Sequence, residues 1–398
     1  MRLESAGLTL LLRIRWWLWS GLAVLAALAS HGDDSPDITG FAHFGSDILS
    51  GRWSAVYATP WNQSGPLQAL ACRFLLVGAS SGRPNLLVVA AMNLGLIQLV
   101  RYLCRYFSRR VPVTALVQFL AAASATVWLA PNFLWAGHVA EIVIPILWIF
   151  AGIRLSRQGW LSAGLLFGLS AAVAPWAVIA LPAALAARHR QSAIRCFALG
   201  AVVALASYAP FVLTGHFQLF QHEWPVQHGS IYHLIDPSMR HFSWPLRLLQ
   251  GGASVTACAY VAVRSRAQVY AIWAPPLAAV VVRVMTDPVI SNYYWFAAVP
   301  LVVAAIVTVP VHWASYATPV SRRATLSVCV LAYLPWAVHA VGLTVLACVA
   351  MLGAIAAVLG SEPDAPPADF PVDTAMESPI ATAIESPIPA ASTVGVTP

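Results

Sequence analysis

The chain contains no lysine, and charged residues of all kinds make up only 9% of its 398 positions. Hydrophobic residues make up 59%, and the mean hydropathy is +0.74. Such a composition leaves no soluble domain of useful size. Apolar runs of about 18 residues or more recur from end to end, and each can cross the hydrocarbon layer as a helix. We therefore predict an all-α protein, a polytopic transmembrane helix bundle of about 11–12 membrane segments.

Cysteine is also scarce, and the six cysteines stand apart in hydrophobic segments with no CxxC pair. This spacing indicates neither a disulfide framework nor a zinc site. The sequence shows no glycine-rich phosphate loop and no Ser–His–Asp order. We expect no cofactor and no obligatory metal. The net charge of +7 comes from arginines in short clusters between apolar runs, which is typical of membrane orientation signals rather than nucleic-acid binding.

These arginine clusters predict the orientation of the chain. Arg13 and Arg15 precede the first apolar segment, so the N-terminus should be cytoplasmic and the loop after that segment extracytoplasmic. The residues divide into a transmembrane domain, 1–360, and a tail, 361–398. The tail is rich in proline, alanine, serine and acids, so we expect it to be disordered in the cytoplasm.

Three stretches predict helices of unusual kinds. Residues 66–80 read as an interfacial or re-entrant helix. Residues 160–187 are short for two spans and hold Pro175 in their middle, which predicts a shallow helical hairpin broken at the sequence APW. The stretch after Pro36 predicts a short amphipathic helix along the outer membrane surface, with Asp37 at its N-terminal end, where the helix dipole favours an ionised carboxylate. Its apolar positions are Ile38, Phe41, Ile48 and Leu49.

The acids predict an outward-facing polar site. Apart from Glu4 and six acids in the tail, the orientation deduced from the arginines places every acid on the extracytoplasmic side. Acids contribute little to membrane orientation, so this agreement is independent of the arginine rule. The alternative for any single acid is that it is an ordinary solvated loop residue with no part in such a site. These acids are Asp33, Asp34, Asp37, Asp47, Glu141, Glu223, Asp236 and Asp287.

Two pairs of ionisable residues fall within apolar segments. His138 and Glu141 are one turn apart on one predicted helix face, and ionisable groups in a membrane helix usually face a cavity or a partner. The alternative is a pair that satisfies only itself. Arg283 and Asp287 are also one turn apart, and there the alternative is a plain ion pair within one helix.

The first predicted loop, PDITGFAHFGSDILSGRWSAVYATPWNQSGPLQ, resembles the first extracytoplasmic loop of GT-C superfamily glycosyltransferases. The likeness is greatest to bacterial polyprenol-phosphate-mannose-dependent α-mannosyltransferases and their actinobacterial relatives. Asp37 takes the position of the family's acid, 48–51 the turn and Tyr57 the tyrosine. The segment AGLLFGLSAAVAPWAVIALPAALAARHR is similar to a second family motif, with Ala174 in place of a frequent lysine. The segments GHVAE, FSWPLRLLQ and RVMTDP also resemble segments of these relatives.

This resemblance implies a GT-C-like fold and the transfer of a sugar, mannose in that family, from a polyprenyl-phosphate donor to a glycolipid or glycan acceptor outside the cytoplasm. It implies Asp37 as the catalytic base, and Asp34 is the second candidate. Arginines at the same membrane depth as this base are suited to stabilise the leaving phosphate. Aromatic side chains suit a sugar face, although aromatic belts also place them at membrane interfaces. The predicted substrate-binding residues are His138, Glu141, Arg240, Arg247, Arg283, Asp287, Tyr293, Tyr294 and Trp61.

Two other classes of function fit the same composition. A transporter or lipid flippase could use the outward acids and the broken hairpin, although the two halves of the chain show no inverted repeat. A non-catalytic membrane assembly partner could keep the architecture of an enzyme. Asp37→Asn separates these classes, because it should inactivate an enzyme that still folds and leave a scaffold unaffected.

Overall fold

The computed structural model of the chain describes residues 2–29, 36–78, 86–109, 113–129, 138–266, 268–289, 292–315, 327 and 341–360. Within these residues the structure is mostly helical, in agreement with the predicted all-α class. The α-helices are α1 (Arg2–Ala29), α2 (Pro36–Leu49), α3 (Trp53–Val56), α4 (Pro66–Leu75), α5 (Leu86–Ser108), α6 (Ala115–Leu129), α7 (Ala140–Ser156), α8 (Trp160–Val173), α9 (Arg190–Leu213), α10 (Ile231–Ile235), α11 (Trp244–Arg264), α12 (Ala274–Met285), α13 (Ala298–Ser315) and α14 (Val341–Leu359).

Shorter elements join these helices. Four 3-10 segments cover Pro175–Ala186, Leu219–Gln221, Val269–Ile272 and Asn292–Ala297. Two short strands, β1 (Trp224–Pro225) and β2 (His241–Phe242), pair antiparallel with Trp224 opposite Phe242. All described helices belong to one compact unit, Met1–Pro367, and the predicted tail lies outside the described residues.

Three of the described helices, α5, α9 and α11, are long and apolar enough to cross a membrane. Seven further apolar helical stretches are shorter. Helix α9 also leaves large apolar side chains exposed, among them Leu205 and Leu213. A helix that is apolar on its exposed face is suited to contact lipid. These features indicate association with a lipid bilayer.

Helix α2 has the form that its sequence predicts. It begins at Pro36, carries Asp37 in its first turn, and buries Ile38 and Phe41. The prediction of a helix with Asp37 at its N-terminal end is therefore confirmed. Leu49, another of its apolar positions, is the last residue of the helix and is exposed.

Helix α4 holds α2 in place. A Cβ atom at Gly45 of α2 would overlap the carbonyl oxygen of Ala69 in α4, so the two backbones pack closely only because this residue is glycine. The amide of Gly65, just before α4, donates to the carbonyl of Val173 at 2.9 Å. A helix is thus confirmed within the predicted 66–80 segment, and its position at a membrane surface stays a prediction.

The predicted break at APW is confirmed. Helix α8 ends at Val173, Ala174 is extended with φ −154° and ψ 143°, and a 3-10 segment then begins at Pro175. Proline has no backbone N–H and disfavours a helical conformation for the residue before it, so the α-helix cannot run through this point. Trp176, directly after the break, contacts Arg283.

Helix α12 lies in the middle of the core. All of its residues from Ala274 to Arg283 are buried, and it packs against α11, α13, α14 and the 3-10 segment after the break. Arg283 lies in its last turn, and Glu141 lies in the first turn of α7. Each charge has the sign that the nearby helix end favours, so this contact agrees with both helix dipoles.

Candidate functional site

Asp37 and His138 meet although 101 residues separate them. Asp37 Oδ2 lies 3.0 Å from His138 Nε2. The Asp37 side chain is 36% exposed, whereas that of His138 is 17% exposed. A carboxylate only accepts hydrogen bonds, so Nε2 carries the hydrogen of this contact when Asp37 is ionised. One oxygen of an oriented carboxylate, Oδ1, takes no part in this contact.

Aromatic rings surround this pair. The imidazole of His138 stacks on Tyr293, with ring centroids 4.1 Å apart and planes 11° apart. Phe41 meets the imidazole edge to face at 5.7 Å and stacks on Trp61 at 5.3 Å. These two ring contacts restrict the orientation of the imidazole, and through it that of the Asp37 carboxylate.

Glu141 and Arg283 form the most buried ion pair of the site. The two terminal nitrogens of Arg283 donate to the two carboxylate oxygens of Glu141, at 2.9 and 3.0 Å. The Arg283 guanidinium also lies 3.9 Å from the ring centroid of Trp176 and 4.9 Å from that of Tyr294. A two-pronged contact of this kind is directional and strong. It occupies the Nη1–Nη2 edge of the Arg283 guanidinium.

Two interpretations of the sequence are therefore wrong. His138 and Glu141 do not satisfy each other, because α7 begins only at Ala140 and the two side chains bind different partners. Arg283 and Asp287 do not form a plain ion pair within one helix either. Asp287 binds Arg247 of another helix, with Oδ2 2.9 Å from Nη1. In each case a residue distant in sequence replaced the local partner.

The Arg247–Asp287 pair lies close to the Glu141–Arg283 pair. Arg247 Nη1 also donates to Gln250 Oε1 at 2.5 Å, and Gln250 Nε2 donates to the carbonyl of Arg283 at 2.9 Å. The second oxygen of Asp287 accepts from the amide of Val289 at 3.1 Å. The Arg247 guanidinium lies 4.3 Å from the ring centroid of Trp224 in β1. Among the described residues, Nη1 makes both of the Arg247 hydrogen bonds, so Nε and Nη2 remain to bind a ligand.

Tyr293 and Tyr294 join these contacts into one assembly. Their rings meet at 4.7 Å, with Tyr293 on His138 and Tyr294 near Arg283. We call the assembly the polar network. Its members are Asp37, His138, Glu141, Arg247, Gln250, Arg283, Asp287, Tyr293 and Tyr294. The structure thus brings together seven of the predicted substrate-binding residues and the predicted base.

Two predicted site residues lie outside the polar network, and a third is outside the described residues. Asp34, and Asp33 beside it, are outside the described residues. Arg240 is exposed, and only its backbone makes a described hydrogen bond, to Val226. Trp61 stacks on Phe41, which in turn contacts His138 of the network. Sequence reasoning missed Gln250 and Trp176. Gln250 follows Arg247 by one helical turn in an apolar stretch, which is the signal that could have identified it.

The segment before α11 is affected by the charge of Arg247. Partial burial, and then the nearby Arg247, lower the pKa of His222. Burial raises the pKa of Tyr232, and Asp287 raises it further, while Arg247 opposes that change.

In the described part of the chain, no three His, Cys, Asp or Glu residues are arranged to hold a metal ion.

The chain matches no family model, no curated protein and no solved structure. The side chains of the polar network define the chemistry that it can perform. It offers a partly exposed carboxylate fixed by an imidazole, an arginine with donors to spare, and aromatic faces beside both.

Proposed function

We propose that the protein is a GT-C-like integral-membrane glycosyltransferase. It moves a sugar, mannose in the family that the sequence resembles, from a polyprenyl-phosphate donor to an extracytoplasmic glycolipid or glycan acceptor, with inversion. The observation that carries this proposal is the contact of Asp37 with His138, since it orients a partly exposed carboxylate at the N-terminal end of an amphipathic helix.

In this proposal Asp37 is the general base. Oδ1 takes the proton of the acceptor hydroxyl while the hydroxyl oxygen attacks the anomeric carbon of the donor sugar. The bond from that carbon to the phosphate oxygen breaks, and its electron pair leaves with the polyprenyl phosphate. His138 donates from Nε2 to Oδ2 and so positions the carboxylate. One displacement inverts the anomeric centre.

The leaving phosphate requires a cation with unused donors, and Arg247 meets that requirement better than Arg283. Arg283 uses both terminal nitrogens on Glu141, so its role is to support the network. Arg247 keeps Nε and Nη2 and lies beside the aromatic face of Trp224. Arg240 is exposed and contributes only through its more distant charge. The phosphate site expected from the sequence therefore narrows to Arg247.

The orientation belongs to the proposal as well. The active face is extracytoplasmic, the protein crosses the membrane several times, and both termini are cytoplasmic. Cysteines introduced at Ser238, which is exposed, and at position 380 test this. A membrane-impermeant thiol reagent should label the first in intact cells and label the second only after lysis. The opposite labelling would place the network on the cytoplasmic side and contradict the proposal.

The transfer itself is tested in membranes that lack the protein and are supplied with radiolabelled polyprenyl-phosphate mannose. Restoring the wild type should transfer label to the glycolipid or glycan fraction. Asp37→Asn should reduce transfer by roughly 10²–10⁴-fold, the usual contribution of a general base. Glu223→Gln is the matched control, because Glu223 is an exposed acid whose described ion pair is a 3.7 Å contact with His241.

Two results would contradict the proposal. If the Asp37→Asn variant transferred sugar at the full rate, Asp37 would not be the general base. Movement of the labelled lipid across the bilayer without transfer of its sugar would instead favour the flippase.

A further inference from the structure

We propose that Trp61 is the platform on which a sugar ring of the acceptor stacks, so that the acceptor is a saccharide held by an apolar ring face beside Asp37. This inference rests on the proposed function and deepens it by naming the chemistry of one substrate.

The indole of Trp61 lies against the backbone of α2 at Gly40. A Cβ atom at Gly40 would stand 2.8 Å from Cη2 and 2.9 Å from Cζ3 of Trp61. Glycine at this position therefore lets the six-membered ring of the indole approach the helix. Gly40 follows Asp37 by three residues, and positions so related lie on one helix face about 5–6 Å apart. The indole is thus one turn from the proposed base, a separation comparable to one sugar ring.

Neighbouring rings fix the indole on one side. Phe41 stacks on it at 5.3 Å with planes 21° apart, and Phe44 meets it at 6.0 Å. Both phenylalanines are buried, yet Trp61 keeps 40% of its surface exposed. A large aromatic ring that is rigidly held and still open is a ready binding face, because little conformational entropy is lost when a ligand covers it.

The chemistry of the two groups matches a saccharide. The face of an aromatic ring carries partial negative charge, and the axial C–H groups of a sugar carry partial positive charge, so the two attract. A carboxylate beside that face accepts a hydrogen bond from a hydroxyl of the same ring. Asp37 is the base for the acceptor, so the ring next to it belongs to the acceptor rather than to the donor.

Trp53 provides a matched control. It is 43% exposed and lies shortly after α2, but its Nε1 donates to the carbonyl of Ile48 at 3.3 Å, near the opposite end of α2 from Asp37. An effect of exposed tryptophan on membrane contact or folding would be shared by both residues. An effect of a sugar platform would be specific to Trp61.

The first experiment measures binding without donor. Saturation-transfer NMR on the detergent-purified full-length protein would use methyl α-D-mannopyranoside and methyl β-D-glucopyranoside as probes. We expect at least one to bind, with Kd raised about tenfold in Trp61→Ala and less in Trp61→Phe. Trp53→Ala should bind as the wild type does. If neither glycoside binds the wild type, or if Trp61→Ala binds normally, the inference is wrong.

Gly40→Ala tests the same idea without removing the ring. The nearest atoms that a new Cβ would meet belong to the indole, so the ring must move away from α2, against its packing on Phe41 and Phe44. We expect Gly40→Ala to weaken glycoside binding severalfold in a protein that still folds. Unchanged binding would contradict the platform.

Transfer kinetics separate this inference from the proposed function. Trp61→Ala should raise KM for the acceptor and leave KM for polyprenyl-phosphate mannose unchanged. A raised donor KM alone would assign the platform to the donor sugar and overturn the inference. If glycoside binding depends on Trp61 but no transfer is ever observed, the saccharide site stands and the transferase proposal fails.

Discussion

Asp37 and Glu141 are both carboxylates at the first turn of a helix, yet their surroundings differ sharply. Asp37 shares one oxygen with an imidazole and is 36% exposed, whereas Glu141 binds Arg283 with both oxygens and is 3% exposed. Only a carboxylate with an open oxygen can take a proton from a substrate. One that is buried and fully paired can fix two helices to each other. We therefore assign the chemistry to Asp37 and His138, the outer pair, and structural support to Glu141 and Arg283, the inner pair.

The largest expected effect breaks the inner pair. Glu141→Gln leaves the Arg283 charge buried without its partner, and such a loss costs about 3–5 kcal/mol of folding free energy. Asp37→Asn should cost no more than about 1 kcal/mol, because the Asp37 side chain is 36% exposed and solvent screens the pair. Thermal unfolding of the two variants in one detergent measures the difference. Equal loss of stability in both would erase the distinction drawn between the pairs.

The double variant Glu141→Leu with Arg283→Leu sharpens this result. Removing both charges leaves no buried charge unpaired, so the double variant should be more stable than Glu141→Gln by about 2 kcal/mol or more. The lost contact of Arg283 with Trp176 limits the recovery. A double variant less stable than Glu141→Gln would show that packing around the guanidinium, rather than the charge, holds the helices.

A smaller effect concerns the use of the donor. Arg247→Gln should lower kcat/KM for polyprenyl-phosphate mannose by roughly 10–100-fold, because charge-assisted contacts to phosphate are lost. Arg247→Lys should restore only part of it, since the planar fork is gone. The comparator is Arg240→Gln, for which we expect a change within about threefold, weaker at high salt. Equal effects of both substitutions would remove the phosphate assignment of Arg247.

The smallest effect is a pH dependence of stability near Arg247. The pKa of His222 is lowered by burial and by Arg247, so the folded protein binds this proton less readily than the unfolded chain does. The contribution of neutral His222 to stability is therefore fully present above the ordinary histidine pKa of about 6.5. It is lost as the pH falls from there through the lower pKa that His222 has in the folded protein. His222→Gln should reduce the decline in melting temperature below pH 6.5. An unchanged decline would mean that other groups cause it.

Local features of the structure agree with the sequence where one turn or one residue decides them. The helix that starts beside Asp37 and the break at Pro175 follow from helix dipole and proline chemistry, and both are confirmed. Ends of helices were less predictable. The apolar stretch 292–315 divides into a 3-10 segment, Asn292–Ala297, and α13, which begins at Ala298. The apolar pattern is continuous across this junction and carries no signal for the change.

The partners of the charged residues were not predictable. Arg283 is nearest in sequence to Asp287 but binds Glu141, 142 residues away. The helical spacing allowed the local pair, and only the packing of α12 against its neighbours decided against it. The role of Gln250 is also set by tertiary packing, because its side-chain amide donates to the carbonyl of Arg283 on another helix.

The sequence by itself determined that this protein is helical and rich in membrane-length apolar segments, and that Asp37 begins an amphipathic helix. Those properties depend on composition, on spacing and on the local chemistry of proline and of helix ends. Only the tertiary structure decided which carboxylate stays open, which arginine keeps free donors, and that Gly40 brings Trp61 to within a turn of Asp37. Those properties depend on contacts between residues far apart in the chain, and one helix alone cannot specify what packs against it.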